Sequence, residues 1–469
     1  MIVPKPHQSA NAATLFEALK NFGAGLDASD TGTGKTITSL LLCKELAARP
    51  AIITRKYVIP SWQAACASLG VEPLFITNYE GARTKGFALG KGETKERVGR
   101  GGMKKTRTYA WDQNLGRVVF IFDESQACRS PKSFNSKMLL SAAGRYKTLL
   151  LSATPFTNPL EMFPQGATLR LFNQNDYYRW LFNHGCKKDY FGHFEWVGDK
   201  KDGKKQPPGT NLALGKAIME ALNAEVFPSR GCRTRRFEIP GFPETLVLPT
   251  AAEMDEADDI QKLYLAELEE NRRGDLERRR AELPDELKEI AEVLPVTLDL
   301  RRRQEVELLK VNSIVEMAED ARDKGDRVAI FVNFDATIEV LKKKLKTDAV
   351  LRGKRESSDL TNAPHLFQNN QVDFMILTSA AGGPGINLHD PVTQVPRTSI
   401  ISPPWSAMVF KQVLGRVNRL GGGFSTQRVV FASGTIEDRV MHRMNSRIQS
   451  MDTLLDGLTD EDLTLDSIQ

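Results

Sequence analysis

Short apolar runs alternate with amphipathic stretches in two separate parts of this chain. In the first part, Ala51–Thr54, Leu74–Thr77, Val118–Phe122 and Leu149–Leu151 read as strands, and Val118–Phe122 is apolar throughout. Helical patterns lie between them, around Ala12–Lys20, Ile37–Leu46 and the stretch that holds Trp62. The rhythm returns with strands at Arg327–Val332, Phe374–Leu377, Thr398–Ser402 and Val429–Ala432, and with a helix at Ala336–Leu345. Strands alternating with helices predict an α/β fold with mostly parallel, doubly wound sheets. Ligand-binding loops then emerge at the carboxyl ends of the strands.

Three regions depart from the alternation. Residues 81–117 interleave Lys85, Lys91, Lys95, Arg97, Arg100, Lys104, Lys105 and Arg107 with glycine and few large apolar residues. They read either as a solvated or disordered insertion or as a flexible basic segment that touches a phosphate backbone. Residues 156–240 set aromatic residues such as Phe156, Tyr177, Tyr178, Trp180 and Trp196 among lysines, which suits either a small helical core or a nucleic-acid groove. His184, Cys186 and His193 lie in the same stretch without a second pair to complete a metal site. Residues 253–325 read as long charged helices with solvated faces, and Leu454 to Gln469 as a terminal helix and a frayed end. The expected divisions are 1–160, a connecting region 161–310, a second domain 311–445 and a tail 446–469.

The chemistry concentrates in a few stretches. Asp30-Thr-Gly-Thr-Gly-Lys-Thr36 leads into a helical pattern, the context of a phosphate-binding loop. Its glycines Gly32 and Gly34 let backbone N–H groups, Thr33 included, converge on phosphates, and the helix N-terminus adds a positive end. Lys35 reaches the β and γ phosphates and Thr36 holds Mg²⁺, so the chain binds a nucleoside triphosphate. Asp123-Glu124-Ser125-Gln126 closes the apolar strand: Asp123 holds Mg²⁺ and Glu124 polarises the attacking water. Gln8, after Pro6, has an amide able to read an adenine edge. The glycines around Gly385 permit close approach to a phosphate or backbone. Arg416 and Arg419, placed on the helix after Trp405, share a face and carry rigid guanidinium forks suited to transferring phosphate.

Composition bounds the rest. The 469 residues, 41% apolar, are enough for two to four domains, and a net charge of +5 permits a polyanionic partner without demanding one. Five cysteines without metal spacing fit a reducing compartment. With no run of membrane-spanning length and no signal-like segment, the chain is expected to be soluble and intracellular, without a membrane partner.

Taken in order, Gln8, Asp30–Thr36, Asp123–Gln126, Leu151-Ser-Ala-Thr-Pro-Phe-Thr-Asn158, Gly382-Gly-Pro-Gly-Ile-Asn-Leu388 and Gln412-Val-Leu-Gly-Arg-Val-Asn-Arg419 resemble superfamily-two helicases and translocases, particularly the Snf-type branch. Trp62 and Ile76-Thr-Asn-Tyr79 look like that family's early nucleic-acid motifs. The resemblance covers residues 7 to 440. It implies two RecA-like P-loop domains with parallel central sheets and helical or basic insertions, clasping ATP between them. It assigns Gln8 to adenine, Lys35 and Thr36 to phosphate and Mg²⁺, Asp123 to Mg²⁺ and Glu124 to water. Gly385 is then near the nucleotide, Arg416 and Arg419 complete the site, and Ser152 to Thr154 couple hydrolysis to movement.

The sequence departs from the family at Gln126, where relatives usually carry His, and after Leu388, as in a viral or mobile-element branch. The expected activity is nucleic-acid-dependent ATP hydrolysis that drives movement on, or remodelling of, duplex or branched DNA. An RNA or single-strand helicase is the first alternative, and an ATP-switched nucleic-acid-binding assembly protein the second.

Overall fold

A computed structural model describes residues 3–84, 86–99, 102–190, 192–198, 211–252, 300, 303–352, 359–382 and 386–456. The long charged stretch expected to be helical therefore lies largely outside the described residues. The described chain forms two compact units, divided between Phe242 and Pro243, and the chain from Ser446 returns to the first.

The first unit is organised on a six-stranded sheet. Its strands are β1 (Ala24–Asp27), β2 (Arg49–Thr54), β3 (Phe75–Asn78), β6 (Val118–Asp123), β7 (Lys147–Leu151) and β10 (Gly231–Cys232), in the order β10-β1-β7-β6-β2-β3. Every pairing in it is parallel. Alternate residues of β6 enter different cores: Phe120 and Phe122 pack with Leu26, Ile53 and Leu150, while Val119 and Ile121 pack with Leu15, Leu40, Ile52 and Leu149. A sheet covered on both faces needs continuous apolar strands, which is why these runs lack alternation. Helix Pro6–Phe22 covers one face with Leu15 and Leu19, starts on a proline and ends at Gly23, whose φ of 73° only glycine adopts cheaply.

Two antiparallel ribbons are inserted in this unit, β4 (Gly90–Gly99) with β5 (Gly102–Trp111), and β8 (Cys186–Lys188) with β9 (Phe194–Trp196). The basic insertion is thus strand, not formless loop. The aromatic region resolves in favour of a core: Phe156, Tyr177, Trp180 and Trp196 are all buried in the first unit. His184 stacks on Trp180 and shares a hydrogen bond with the Trp180 carbonyl oxygen. The stretch expected as a tail is helical to Asp456, in one helix, Ile436–Asp456. Its Met451, Leu454 and Leu455 are buried in the first unit's core, which stabilises that docking by roughly 1.5–3 kcal/mol per side chain.

The second unit repeats the architecture with β11 (Thr245–Ala251), β12 (Arg327–Val332), β13 (Val350–Leu351), β14 (Phe374–Thr378), β15 (Arg397–Ile401) and β16 (Ser425–Phe431), in the order β11-β16-β15-β12-β14-β13. All pairings are again parallel. Pro249 is accommodated because β11 is an edge strand. The two sheets with flanking helices are tandem RecA-like α/β domains. Among the described residues no helix is long and apolar enough to cross a membrane.

At the carboxyl ends of these strands, buried charge ties the second unit together. Lys310, fully buried, donates to Glu437 Oε1 at 2.7 Å, to Ser402 Oγ at 2.9 Å and to the Val430 carbonyl at 2.9 Å. Glu307, also fully buried, accepts from the Asn333 and Phe334 amides and from Thr337 Oγ1. Removing one partner of such a pair strands the other charge in the interior. Lys310→Met is expected to destabilise the second unit by about 3–5 kcal/mol, measured by urea unfolding. Lys310→Met combined with Glu437→Leu recovers much of the loss.

Candidate functional site

The chemistry-bearing residues of the first unit all follow the carboxyl ends of parallel strands, where backbone groups have no ladder partner and loops are free to bind. Leu151 of β7 is in register with Asp27 of β1 on one side and Asp123 of β6 on the other. These two carboxylate residues therefore sit two strand spacings apart, about 10 Å. The phosphate-loop segment follows Asp27, the acidic box follows Asp123, and Ser152 follows β7.

The loop turns through Gly32 and Gly34, with φ of 85° and 95°, and helix Lys35–Glu45 starts immediately after. A side chain at Gly34 would collide with the Gln8 amide. Gln8 is buried against the loop, and its Nε2 donates to the Thr33 carbonyl at 3.2 Å while its Oε1 accepts from the Lys5 amide at 2.9 Å. His7 also contacts the Thr33 carbonyl, at 2.8 Å. Thr33 Oγ1 donates to the Asp30 carbonyl at 2.9 Å. Lys35 Nζ donates to the carbonyls of Ser29 at 2.7 Å and Asp30 at 3.0 Å. Burial pushes its ammonium below the usual lysine range, against the attraction of Asp27, Glu124, Asp30 and Asp123.

Asp123 is held on both oxygens. Oδ2 accepts from Thr54 Oγ1 at 2.7 Å and from Trp62 Nε1 at 2.9 Å, and Oδ1 accepts from the Glu124 amide at 3.0 Å. Burial and then the neighbouring Glu124 raise its carboxyl above the ordinary range, while the bonds from Trp62 and Thr54 and the charge of Lys35 oppose them. Glu124 has φ 54° and ψ 50°, a left-handed conformation for a residue with a Cβ, which costs on the order of 1–3 kcal/mol and is tolerated where neighbours hold it. Gln126 does so: its Nε2 donates to Glu124 Oε2, and its Oε1 accepts from Ser152 Oγ at 2.6 Å. Ser152 Oγ in turn accepts from the Thr154 amide at 3.0 Å. A continuous hydrogen-bonded chain thus links the acidic box to the segment after β7, through the residue where the sequence departs from its relatives.

One expectation changes and another gains detail. Trp62 and Tyr79, whose segments look like the family's early nucleic-acid motifs, are both buried: the Trp62 indole donates to Asp123 Oδ2 at 2.9 Å, and the Tyr79 hydroxyl donates to the Asp123 carbonyl at 2.9 Å. They brace the acidic box. The helix after Trp405 covers only Ala407–Leu414, because the chain turns at Gly415, so Arg416 and Arg419 do not share a helical face. Arg416 is buried and donates to the Ile386 carbonyl at 3.1 Å, and Arg419 is half-buried with Nε on the Gly415 carbonyl at 3.1 Å. Arg419 also lies near enough to His389 to help burial hold that imidazole down at about 4. Gly385 lies outside the described residues.

One arrangement was not read from sequence. Arg233, just past β10, donates to the Ala28 carbonyl and to Asp30 Oδ1, both at 2.7 Å. It also grips Asp456 through Nε at 2.8 Å and Nη2 at 3.2 Å. The Arg236 amide donates to Asp30 Oδ2 at 3.0 Å, and the Asp30 amide to the Thr234 carbonyl at 3.0 Å. Asn11 completes the grip by donating to Ser29 Oγ and Thr234 Oγ1. The run of three arginines in Arg233-Thr-Arg-Arg236 was the available signal; its partner 223 residues onward was not visible.

Lys35, the Gly32–Thr36 turn, Asp123 and Glu124 are therefore brought together in the first unit, while Arg416 and Arg419 belong to the second. A half-buried ammonium resting on backbone carbonyls beside a helix N-terminus fits a polyphosphate. For Mg²⁺, Thr36 and Asp123 supply hard oxygens. No cluster of three or more His, Cys, Asp or Glu able to hold a metal exists among the described residues, so phosphate and water must supply the other ligands, as this ion prefers.

Residues 309–421 match the helicase conserved C-terminal domain. The chain is 26% identical over 470 residues to a putative ATP-dependent RNA helicase of Acanthamoeba polyphaga mimivirus, covering 96% of this chain and 83% of that one. It is 26% identical over 164 residues to the chromatin-remodeling ATPase INO80 of Saccharomyces cerevisiae, covering 33% of this chain and 10% of that far longer protein. The SWI2/SNF2 ATPase core of Sulfolobus solfataricus in complex with dsDNA aligns over 99% of this chain and 97% of that one, at 18% identity and a TM-score of 0.36, too low to carry weight. The chain thus carries a match to the helicase conserved C-terminal domain over residues 309–421, is similar to the mimivirus protein over nearly its whole length, and folds into two units each built on a parallel six-stranded sheet.

Proposed function

We propose that this chain is an ATP-driven motor that moves on, or remodels, duplex or branched DNA. The observation that carries the ATPase part is the convergence of Lys35 with Asp123 and Glu124 at the carboxyl ends of β1 and β6, on either side of β7. In this reading the amides of Gly32 to Thr36 and the Lys35 ammonium bind the β and γ phosphates, exchanging loop carbonyls for phosphate oxygens. Thr36 and Asp123 hold Mg²⁺, which would neutralise phosphate charge when bound. Glu124 takes the proton side of the attacking water, and Gln126 keeps its carboxylate oriented. Gln8 reads the adenine edge, Gly385 lies near the nucleotide, and Arg416 and Arg419 bring guanidinium charge to the γ phosphate during turnover. The chain Glu124–Gln126–Ser152–Thr154 supports the coupling of hydrolysis to movement, because a change at either end must be accommodated by the same side chains.

The name of the mimivirus relative favours a second reading, an RNA helicase. ATP hydrolysis measured with duplex DNA, forked DNA, single-stranded DNA and RNA separates the two. Stimulation by duplex or forked DNA over RNA supports the DNA motor, and stimulation by RNA alone replaces it. No stimulation by any polynucleotide leaves an ATP-switched assembly protein.

Three outcomes are expected. Glu124→Gln lowers kcat by on the order of 10²–10⁴ with little change in KM for ATP, read in a steady-state phosphate-release assay. Gln126→Ala and Ser152→Ala each reduce polynucleotide stimulation, and in a double-mutant cycle their effects are non-additive by about 0.5–3 kcal/mol. Arg233→Met and Asp456→Asn, which touch no substrate atom in this reading, raise KM for ATP several-fold by loosening the loop. Arg233→Lys restores less than half of the loss, because a point charge does not reproduce the bidentate fork.

A further inference from the structure

The ribbon of β4 and β5 plays no part in the nucleotide chemistry, yet it holds the chain's excess charge. Residues 90–111 contain seven Lys or Arg against two Glu, a net +5 that equals the net charge of the entire chain. Everything outside these residues is balanced. The two strands pair only with each other, and an isolated two-stranded ribbon is marginal in water. This one is anchored at its base. Trp111 and Tyr109 are buried, Trp111 packs between Phe75 of β3 and Phe120 of β6, and its indole donates to the Met138 carbonyl at 3.1 Å. Gly90 and Gly92 lie opposite Trp111 and Tyr109 in register. A Cβ at Gly90 would meet both rings and one at Gly92 would meet Phe134, so the base closes only with glycine there. The strands that anchor the ribbon include β6, which ends in the acidic box.

Beyond the base, the backbone register sets Arg97 opposite Lys104 and Glu96 opposite Lys105, and basic residues outnumber acidic ones on both strands. Past the buried base, residues 93–99 and 102–108 span about 23 Å, about two thirds of one helical turn of B-form DNA. The major groove of B-DNA admits a two-stranded ribbon, and the deep, narrow major groove of A-form RNA does not.

We infer that the β4–β5 ribbon is a duplex-DNA-binding arm, laid along a groove with its basic residues on the flanking phosphates. The inference rests on the DNA-motor reading above, but its test does not use ATP. Duplex DNA binding is measured by fluorescence anisotropy without nucleotide, from about 50 to 200 mM salt, for the wild type and for a variant carrying Lys91, Lys95, Arg97, Lys104, Lys105 and Arg107 all changed to Gln. The log–log salt slope is expected to shrink by up to about 5, with affinity at the lowest salt falling on the order of a hundredfold. ATP hydrolysis without polynucleotide stays at the wild-type rate. Should the sixfold variant not fold, Arg97→Gln with Lys104→Gln is expected to reduce the slope by about 2. An unchanged slope in the folded variant overturns the inference, as does a wild type that binds no duplex DNA. An equal loss on a matched RNA duplex also overturns it. A wild type without ATPase activity that still shows the slope change defeats the motor reading and leaves the arm standing.

Discussion

A half-buried ammonium among carboxylates governs the first unit. Lys35 must lose water to sit under its loop, and that loss alone would favour the neutral amine. Asp27, Asp30, Asp123 and Glu124 supply the opposing field. Two of these carboxylates are themselves tied down, Asp123 by Thr54 and Trp62 and Asp30 by Arg233 and the Arg236 amide. The field therefore depends on groups that never approach a ligand. Strand register fixes the spacing, since Leu151 lies between the two strand ends. The order of the sheet brings these like charges close enough to hold the lysine, at the cost that Glu124 pushes the Asp123 carboxyl up.

The second unit solves a related problem without evident chemistry of its own. Lys310 and Glu307 are as deeply buried as any apolar residue, and they gather the ends of β12, β15 and β16 through hydrogen bonds instead of side-chain packing. Arg397 is also buried and spans the Leu388, Phe367 and Gln368 carbonyls. Such groups hold loops to one geometry, because a shift of an ångström leaves a charge unsatisfied. The helicase C-terminal domain match takes in Lys310, Arg397, β12 and β15, while Glu307 and β16 lie outside residues 309–421.

Strands and the nucleotide loop were legible in the sequence because their causes are local. Val118–Phe122 is apolar because both faces of β6 are covered, and the glycines at 32 and 34 are required by positive φ. The ribbon was not legible: its strands are short of apolar residues beyond the base, and what fixes them is Trp111 meeting Phe75 and Phe120 from distant segments. Trp62 and Tyr79 were singled out by their motifs, but their bracing of Asp123 was not legible, since sequence order shows neither burial nor the direction of an indole N–H. The reading of Arg416 and Arg419 as helical neighbours failed at a turn through Gly415, a residue that was visible but taken to lie within the helix. Gln126 was noticed as a departure, and its bridging role emerged only once Ser152 was beside it.

The bond between Arg233 and Asp456 has a bearing on biosynthesis. The two residues are 223 positions apart, and chains emerge from the ribosome N-terminal end first, at about 5–20 residues per second. During that interval the guanidinium has Asp30 and the Ala28 carbonyl as partners but lacks the carboxylate that fills its other edge. The core face closed by Met451, Leu454 and Leu455 is likewise open. A first unit that still lacks the closing helix therefore has neither the carboxylate that grips Arg233 nor the apolar side chains that cover this part of its core.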